Sequence, residues 1–486
     1  MLAISFGIVV ALATIFTCHW IKKWRNPKCP NNGTLPPGSM GFPIIGETLN
    51  LLVPSHSIDV HSFVKKRINK YGSIFKTNLA NRPIVVSSDP EVNQFILQQE
   101  GGSVELYYMD NFSKLFGQSD DPRARINPVG SIHRYVRSLN LSNFGIEVLK
   151  NGLVPQLHRN IHRRLRDWTL SPSLEIKKSI SSMIFDIVAN HMFGYDYDNS
   201  SNDISDKLTC IIKAIASFPL NFPGTTLYKS LKAKNNLKDM IKDEINRRCR
   251  NQTSPRGDLL DQAIKDSKEK NDLMFLTDDF ISHTVFGSLF ASFESISTLL
   301  TLCFKILSDY PLVYDQLAIE HEEIVERREE GHKEDPLSWD EYKSLTYTIW
   351  VINETLRLSS VSPGLLRRTT KDIQVKGYTI PANWIVVIAV ASQHLNPDTF
   401  DDPLAFNPYR WKNIDGNVVS KNFMPFGRGI RQCAGAEFSK AFMATFLHVL
   451  VTNFKWTKTK GGENVKRTPL LNFGDGIHIK ISEKNI

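Results

Sequence analysis

One stretch constrains this chain more than any other. Between Pro425 and Gly435 it reads PFGRGIRQCAG, with three glycines, two arginines and a cysteine. Glycine reaches backbone angles closed to other residues and lets the main chain approach something bulky and flat. A helical pattern starts just after Gly435, with Phe438, Phe442 and Phe446 at i, i+4 and i+8 on one face. The free N–H groups and positive dipole end of that helix would point at the Cys433 sulfur. Arg428 and Arg431 add positive potential. All three features favour a thiolate. A zinc ion would need further Cys or His ligands at close spacing, and none stands nearby. A phosphate loop has no use for the cysteine, and GxxxxGK[ST] is absent. A haem iron takes one axial thiolate, a close backbone and arginines for its two propionates. The plain alternative is a structural cysteine buried in a glycine-rich turn.

The rest of the chain bounds the setting. Its 486 residues are 41% hydrophobic and 22% charged, enough for one large domain or two to three small ones. The net charge of +9 suits nucleic acid, an anionic membrane surface or an acidic protein partner. The N-terminus favours membrane. Leu2 to Ile21 carries no Asp, Glu, Lys or Arg, and 20 residues of helix span roughly 30 Å, the thickness of a bilayer core. Lys22 to Arg25 (KKWR) follows at once and would stay cytosolic. A cleaved signal peptide is the competing reading, but a basic n-region is missing and the apolar run ends in His19-Trp20 rather than small residues. The six cysteines are scattered without a CxxC pair, which argues against a disulfide framework or structural zinc. The expected organisation is a transmembrane signal anchor over 1–21, a basic, proline-rich linker over 22–43, and one domain over 44–486.

That domain reads as mainly α with small β-sheets. Ile74 to Leu79 and Pro83 to Ser87 look like strands around a turn at Ala80 to Arg82. Helical patterns dominate from about Pro90 to Arg357, as in Leu174 to Phe193, Leu237 to Arg250 and Asp278 to Leu307. A strand-rich segment follows from Leu365 to Ala391, with a hairpin in TTKDIQVKGYTIP, and small strands are expected near the C-terminus. There are no internal repeats.

The spacing Phe426-x-x-Gly429-x-Arg431-x-Cys433-x-Gly435 resembles, position for position, the haem-thiolate signature of the cytochrome P-450 monooxygenases. The resemblance extends over nearly the whole chain. Glu354-Thr355-Leu356-Arg357 resembles the family's ExxR, 79 residues before the cysteine, and Phe406-Asn407-Pro408-Tyr409-Arg410 lies between them. On a helix, i and i+3 share a face and can pair. The resemblance implies the P-450 fold and a buried scaffold triad of Glu354, Arg357 and Arg410. It implies haem b with Cys433 as axial ligand, Phe426 shielding the sulfur, and Gly429 and Gly435 letting the backbone close on the ring. Propionate partners would be Arg431, Arg367 (or its neighbour Arg368) and the pair His133 and Arg137. The family commonly has Trp where His133 stands.

The implied activity is insertion of oxygen from dioxygen into a C–H bond. Glu294 and Ser295, within FGSLFASFESIST, are similar to the acid–alcohol pair that delivers protons in the family. Ser295 stands where Thr is usual and Ser292 where Gly is usual. Electrons would come from NADPH through a membrane-bound reductase, with Lys421, Arg428 and Lys440 facing an acidic partner. Several stretches resemble the plant branch that oxidises steroids and triterpenes, including brassinosteroid hydroxylases and cucurbitadienol oxidases. By family position the pocket residues would be Leu106, Phe218, Phe290, Ala291, Val361, Leu365 and Phe473. Ser217 to Gly224 would dip into the bilayer beside the substrate entrance. A single-pass protein of the endoplasmic reticulum with a cytosolic catalytic domain follows, with lipid bilayer, reductase and a hydrophobic substrate as partners and no nucleic acid. Side-chain cleavage of a sterol by the same fold, and a lipid-binding haem protein without turnover, are the alternatives. The usual loop has Gly where Arg428 stands.

Overall fold

The computed structural model describes residues 14–17, 19–116, 130–196, 204–215, 217, 219–250, 255–270, 273–362, 364–468 and 470–484. Phe218 and most of the expected anchor, 1–13 and Cys18, lie outside them. Residues 14–17 and 19–25 are helical. The expected linker is held against the domain: Lys76 N–H donates to Pro37 O at 2.7 Å, and Lys76 Nζ to Pro36 O at 2.8 Å.

Strands β1 (Ile74–Leu79) and β2 (Arg82–Ser87) form the expected hairpin. Its two-residue turn needs positive φ, and Ala80 and Asn81 adopt 51° and 64°. Helix α1 (Pro90–Gln98) follows, capped by the Asp89 carboxylate, which accepts from Glu91 N–H and Val92 N–H. After β3 (Val104–Leu106) the helical body comprises α2 (Ser131–Phe144), α3 (Val154–Thr169), α4 (Ile176–Phe193), α5 (Thr226–Arg250), α6 (Asp278–Asp309), α7 (Pro311–Glu326) and α8 (Thr346–Ser359). Strands β4 (Leu365–Thr369), β5 (Ile373–Val375), β6 (Tyr378–Ile380) and β7 (Ile385–Ile388) come next. The five-stranded sheet has the order β1-β2-β7-β4-β3, and β5 and β6 make the separate hairpin expected from TTKDIQVKGYTIP. Helix α9 (Ala436–Asn453) starts after Gly435, and a small sheet pairs Phe454–Gly461 with Ile477–Glu483.

Helix α6 explains most of the core. Thr277 caps it by accepting from Phe280 N–H, Asp278 and Asp279 complement the dipole, and Pro311 follows its end. Among the described residues it is the one helix long and apolar enough to cross a bilayer, yet 72% of its apolar window is buried inside the protein. It packs against α4, α5 and α8, and its apolar residues belong to the largest core cluster. The Phe438, Phe442 and Phe446 stripe of α9 joins the same cluster.

Three buried histidines tie α3, α7 and α9 together. His321 Nδ1 and His448 Nδ1 share a hydrogen bond at 3.0 Å, His321 Nε2 meets Thr348 Oγ1 at 3.1 Å, and Leu337 N–H donates to His158 Nδ1 at 3.1 Å. Burial holds His158 down to about 4 and His321 to about 3, and depresses His448 as well. Unfolding would return each to about 6.5. Between the folded and unfolded values the unfolded chain binds more protons, so stability falls with falling pH. We expect thermal melts to hold above pH 6.5 and to weaken progressively as pH drops from there towards 4. Substitution of His158 by Phe should flatten that slope.

Candidate active site

The Glu354–Arg357 pair lies on one face of α8, and both side chains are fully buried. Arg357 Nε and Nη2 donate to the two Glu354 oxygens at 2.9 and 2.8 Å. Arg410 Nε donates to Glu354 Oε1 at 2.8 Å, so the expected triad is present. Asn407 N–H and Trp411 Nε1 complete the carboxylate's partners at 3.1 and 3.0 Å. From Arg357 the bonding runs on to the cysteine loop. Its Nη1 donates to His394 O at 3.0 Å, and His394 Nε2 accepts from Met424 N–H at 3.0 Å. Burial keeps His394 neutral, so Nε2 can accept. Gly427 N–H then donates to Met424 O at 3.1 Å, and Cys433 N–H to Phe426 O at 2.9 Å. The triad braces the loop through main-chain bonds rather than by touching the cysteine.

Within the loop Gly427 and Gly429 adopt φ of 67° and 71°, where glycine is needed. A Cβ on Gly429 would stand 3.4 Å from Leu97 O at the end of α1. Gly435 differs from expectation: its φ is −89°, so the backbone does not demand glycine there. Cys433 is exposed, and its loop leads straight into α9. The thiol also differs from expectation. Burial by surrounding protein pushes it up, and this outweighs the Gly435 N–H and Arg137, which pull it down. The sulfur faces open space yet sits deep in the fold, and its thiolate character would have to come from a bound cation.

Arginines gather beside it. Arg431 Nε donates to Glu100 Oε1 at 2.6 Å. Arg367 pairs with the other oxygen of the same carboxylate. That second contact is an ion pair, and beyond it Arg367 Nε and Glu100 Oε2 are buried with no other hydrogen-bond partner among the described residues. Arg368 points away and pairs with Glu105 on the surface, so Arg367 is the inward-facing member of the two. Arg137 donates to Gln432 O, and burial followed by Arg431 and Arg137 lowers His133. Arg428 turns inward, donating to Phe423 O at 3.4 Å, instead of joining Lys421 and Lys440 on an outer face. Burial of its guanidinium accompanies that turn.

Helix α6 carries the expected acid–alcohol pair. Ala291 is exposed and Ser292 and Ser295 are half-buried, although Phe290, Phe293 and Ile296 beside them are buried. Glu294 is held by Lys177 Nζ at 2.9 Å and by Thr298 Oγ1 at 3.1 Å. An aromatic row leads from the arginine cluster to α6: Tyr108–Phe112 at 4.6 Å, Phe112–Phe116 at 4.7 Å and Phe116–Phe290 at 4.2 Å between ring centres. Phe473 and Phe290 are buried in the core, while Leu106, Val361 and Leu365 are half-buried. Sequence reasoning missed Glu100, Lys177 and Phe116, since none sits in a patterned motif.

The protein-family model for Cytochrome P450 matches residues 36–477. The chain belongs to the cytochrome P450 family. This P450 is 46% identical over 478 residues to a beta-amyrin 16-alpha-hydroxylase, CYP87D16, of Maesa lanceolata, covering 98% of each chain. It is 45% identical over 480 residues to a cucurbitadienol 11-hydroxylase of Siraitia grosvenorii, covering 98% of this chain and 99% of that one. The structure of retinoic acid-bound cyanobacterial CYP120A1 superposes with a TM-score of 0.80 over 93% of this chain and 100% of that one. At 24% identity that likeness establishes the fold alone. P450s use haem b and electrons from NADPH passed on by a reductase, and this chain is a monooxygenase of that kind.

The residues present fit the cofactor. Cys433 is exposed, Arg367 Nε has no hydrogen-bond partner among the described residues beyond its ion pair with Glu100, and Ala291 and Ser295 are small residues on α6 that are not buried. One thiol, a cluster of guanidiniums and a small-residue surface make a suitable donor set for iron, propionates and ring.

Proposed function

We propose that this P450 hydroxylates a triterpenoid or sterol at the surface of the endoplasmic reticulum, anchored by residues 1–21. Full-length similarity at 45–46% to hydroxylases of beta-amyrin and cucurbitadienol carries this reading. The aromatic row from Tyr108 to Phe290 supports it, since it offers a fused-ring substrate a wall of apolar surface. Leu220 and Phe222 are more than half exposed, which suits a loop resting in lipid near the entrance.

Each residue then has a task. Cys433 would ligate the iron, and Arg431, Arg367, His133 and Arg137 would hold the propionates. Haem ligated by a thiolate supplies the activation of dioxygen. Ser295 presents a half-buried hydroxyl on α6, where it can hold a water and pass a proton. Glu294 stands one residue away with its carboxylate held by Lys177, so it reaches that water by releasing the lysine. The pocket side chains, Leu106, Phe290, Ala291, Val361, Leu365 and Phe473, exclude bulk water and orient the substrate. Lys421 and Lys440 present positive charge towards an acidic reductase.

Incubation with a plant NADPH–P450 reductase, NADPH and a panel of triterpenes and sterols tests the proposal. A monohydroxylated product is expected from at least one tetracyclic or pentacyclic substrate. NADPH consumption unchanged by every compound, with no product, would sink it. Two-fragment products would replace hydroxylation by side-chain cleavage.

A further inference from the structure

Among the described residues, Glu100 is a carboxylate set between two arginines beside Cys433. Its side chain is 2% exposed and touches Arg367 with one oxygen and Arg431 with the other. The fold holds it there firmly. Glu100 ends the turn after α1 and forms a bridge with Val104 at the start of β3. Gly101, at φ 80°, makes the turn between them. Both arginines come from distant parts of the chain, Arg367 from β4 and Arg431 from the cysteine loop. One short acidic side chain therefore sets the separation of two guanidiniums.

The two pairings give that arrangement a purpose. Arg367 and Arg431 are brought together around one carboxylate, so their guanidiniums can converge on the same propionate-bearing edge of haem b. Without Glu100 the two guanidiniums would repel each other in a poorly solvated place, where charge interacts strongly. We infer that Glu100 is a positioning residue that aligns Arg367 and Arg431 for the propionates and sets the reduction potential of the haem through its own negative charge. This inference rests on haem-thiolate ligation by Cys433.

The test uses the full-length haem protein and three variants: Glu100→Gln, Glu100→Asp, and Glu105→Gln as the exposed control that pairs with Arg368. Removing the buried charge favours the less positive ferrous state, so Glu100→Gln should move the midpoint potential positive. Loss of haem to apomyoglobin should quicken on the order of tenfold, the usual scale for outer-shell partners. Glu100→Asp should keep the potential near wild type but release haem faster, because the shorter side chain cannot span both arginines. Glu105→Gln should change neither quantity. A Glu100→Gln protein with wild-type potential and wild-type haem loss overturns the inference. If that variant does not fold, unchanged haem loss in Glu100→Asp overturns it instead. A histidine-type carbon monoxide band in wild type would strike the ligation by Cys433, whatever Glu100 does.

Discussion

Cys433→Ala should abolish the red-shifted Soret band of the reduced carbon monoxide complex and reduce monooxygenase turnover to background. The band reports a thiolate ligand, and among the described residues the other cysteines lie elsewhere. Cys303 is buried and its thiol is pushed up to about 12 by desolvation, while Cys29, Cys210 and Cys249 lie in other parts of the chain. The same substitution should barely change the melting temperature of the haem-free protein. Cys433 is exposed, so its side chain contributes little to core packing. A variant that keeps the red-shifted band would remove Cys433 from the iron.

Glu354→Ala should have the opposite profile, with a large loss of folded protein. Its carboxylate accepts from Arg357, Arg410, Asn407 N–H and Trp411 Nε1, and it is fully buried. Removing it strands the fully buried Arg357 guanidinium with carbonyl partners alone. Breaking a buried ion pair from one side costs about 3–5 kcal/mol, against a total stability of roughly 5–15 kcal/mol for a domain. Because Arg357 also supports His394 and through it Met424, the cysteine loop should loosen as well. We expect little soluble haem protein, and a strongly lowered denaturation midpoint in what remains. A midpoint equal to wild type would refute the bracing role. Cys433→Ala and Glu354→Ala together separate chemistry from scaffold.

Local pattern was enough for much of this. The 3.6-residue apolar periodicity of α6 and α9 marks helices whatever surrounds them, because each must bury a stripe. The turns at Ala80-Asn81 and Lys376-Gly377 were visible because residues with positive φ are few in kind. Cys433 stood out because its neighbours are so restricted in type, and Glu354 and Arg357 because i and i+3 meet on a helix. In each case the relevant contact lies within a few residues, so the sequence carries it.

Contacts between distant segments were another matter. Nothing near Glu100 reveals that it lies between Arg367 and Arg431, or near Lys177 that it meets Glu294. Arg367 and Arg368 are adjacent and alike, and only the pleat of β4 turned one inward and the other to Glu105. The Cys433 thiol was expected to be acidic from its helix and arginines, but desolvation by the surrounding protein raised it. Arg428 looked like a surface charge and turned to Phe423 O. The sequence by itself determined the family, the glycine-rich cysteine loop and the helical frame, since these depend on local chemistry and periodicity. Tertiary structure alone decided the electrostatics around the haem, because charge acts through space and burial is a property of the whole fold.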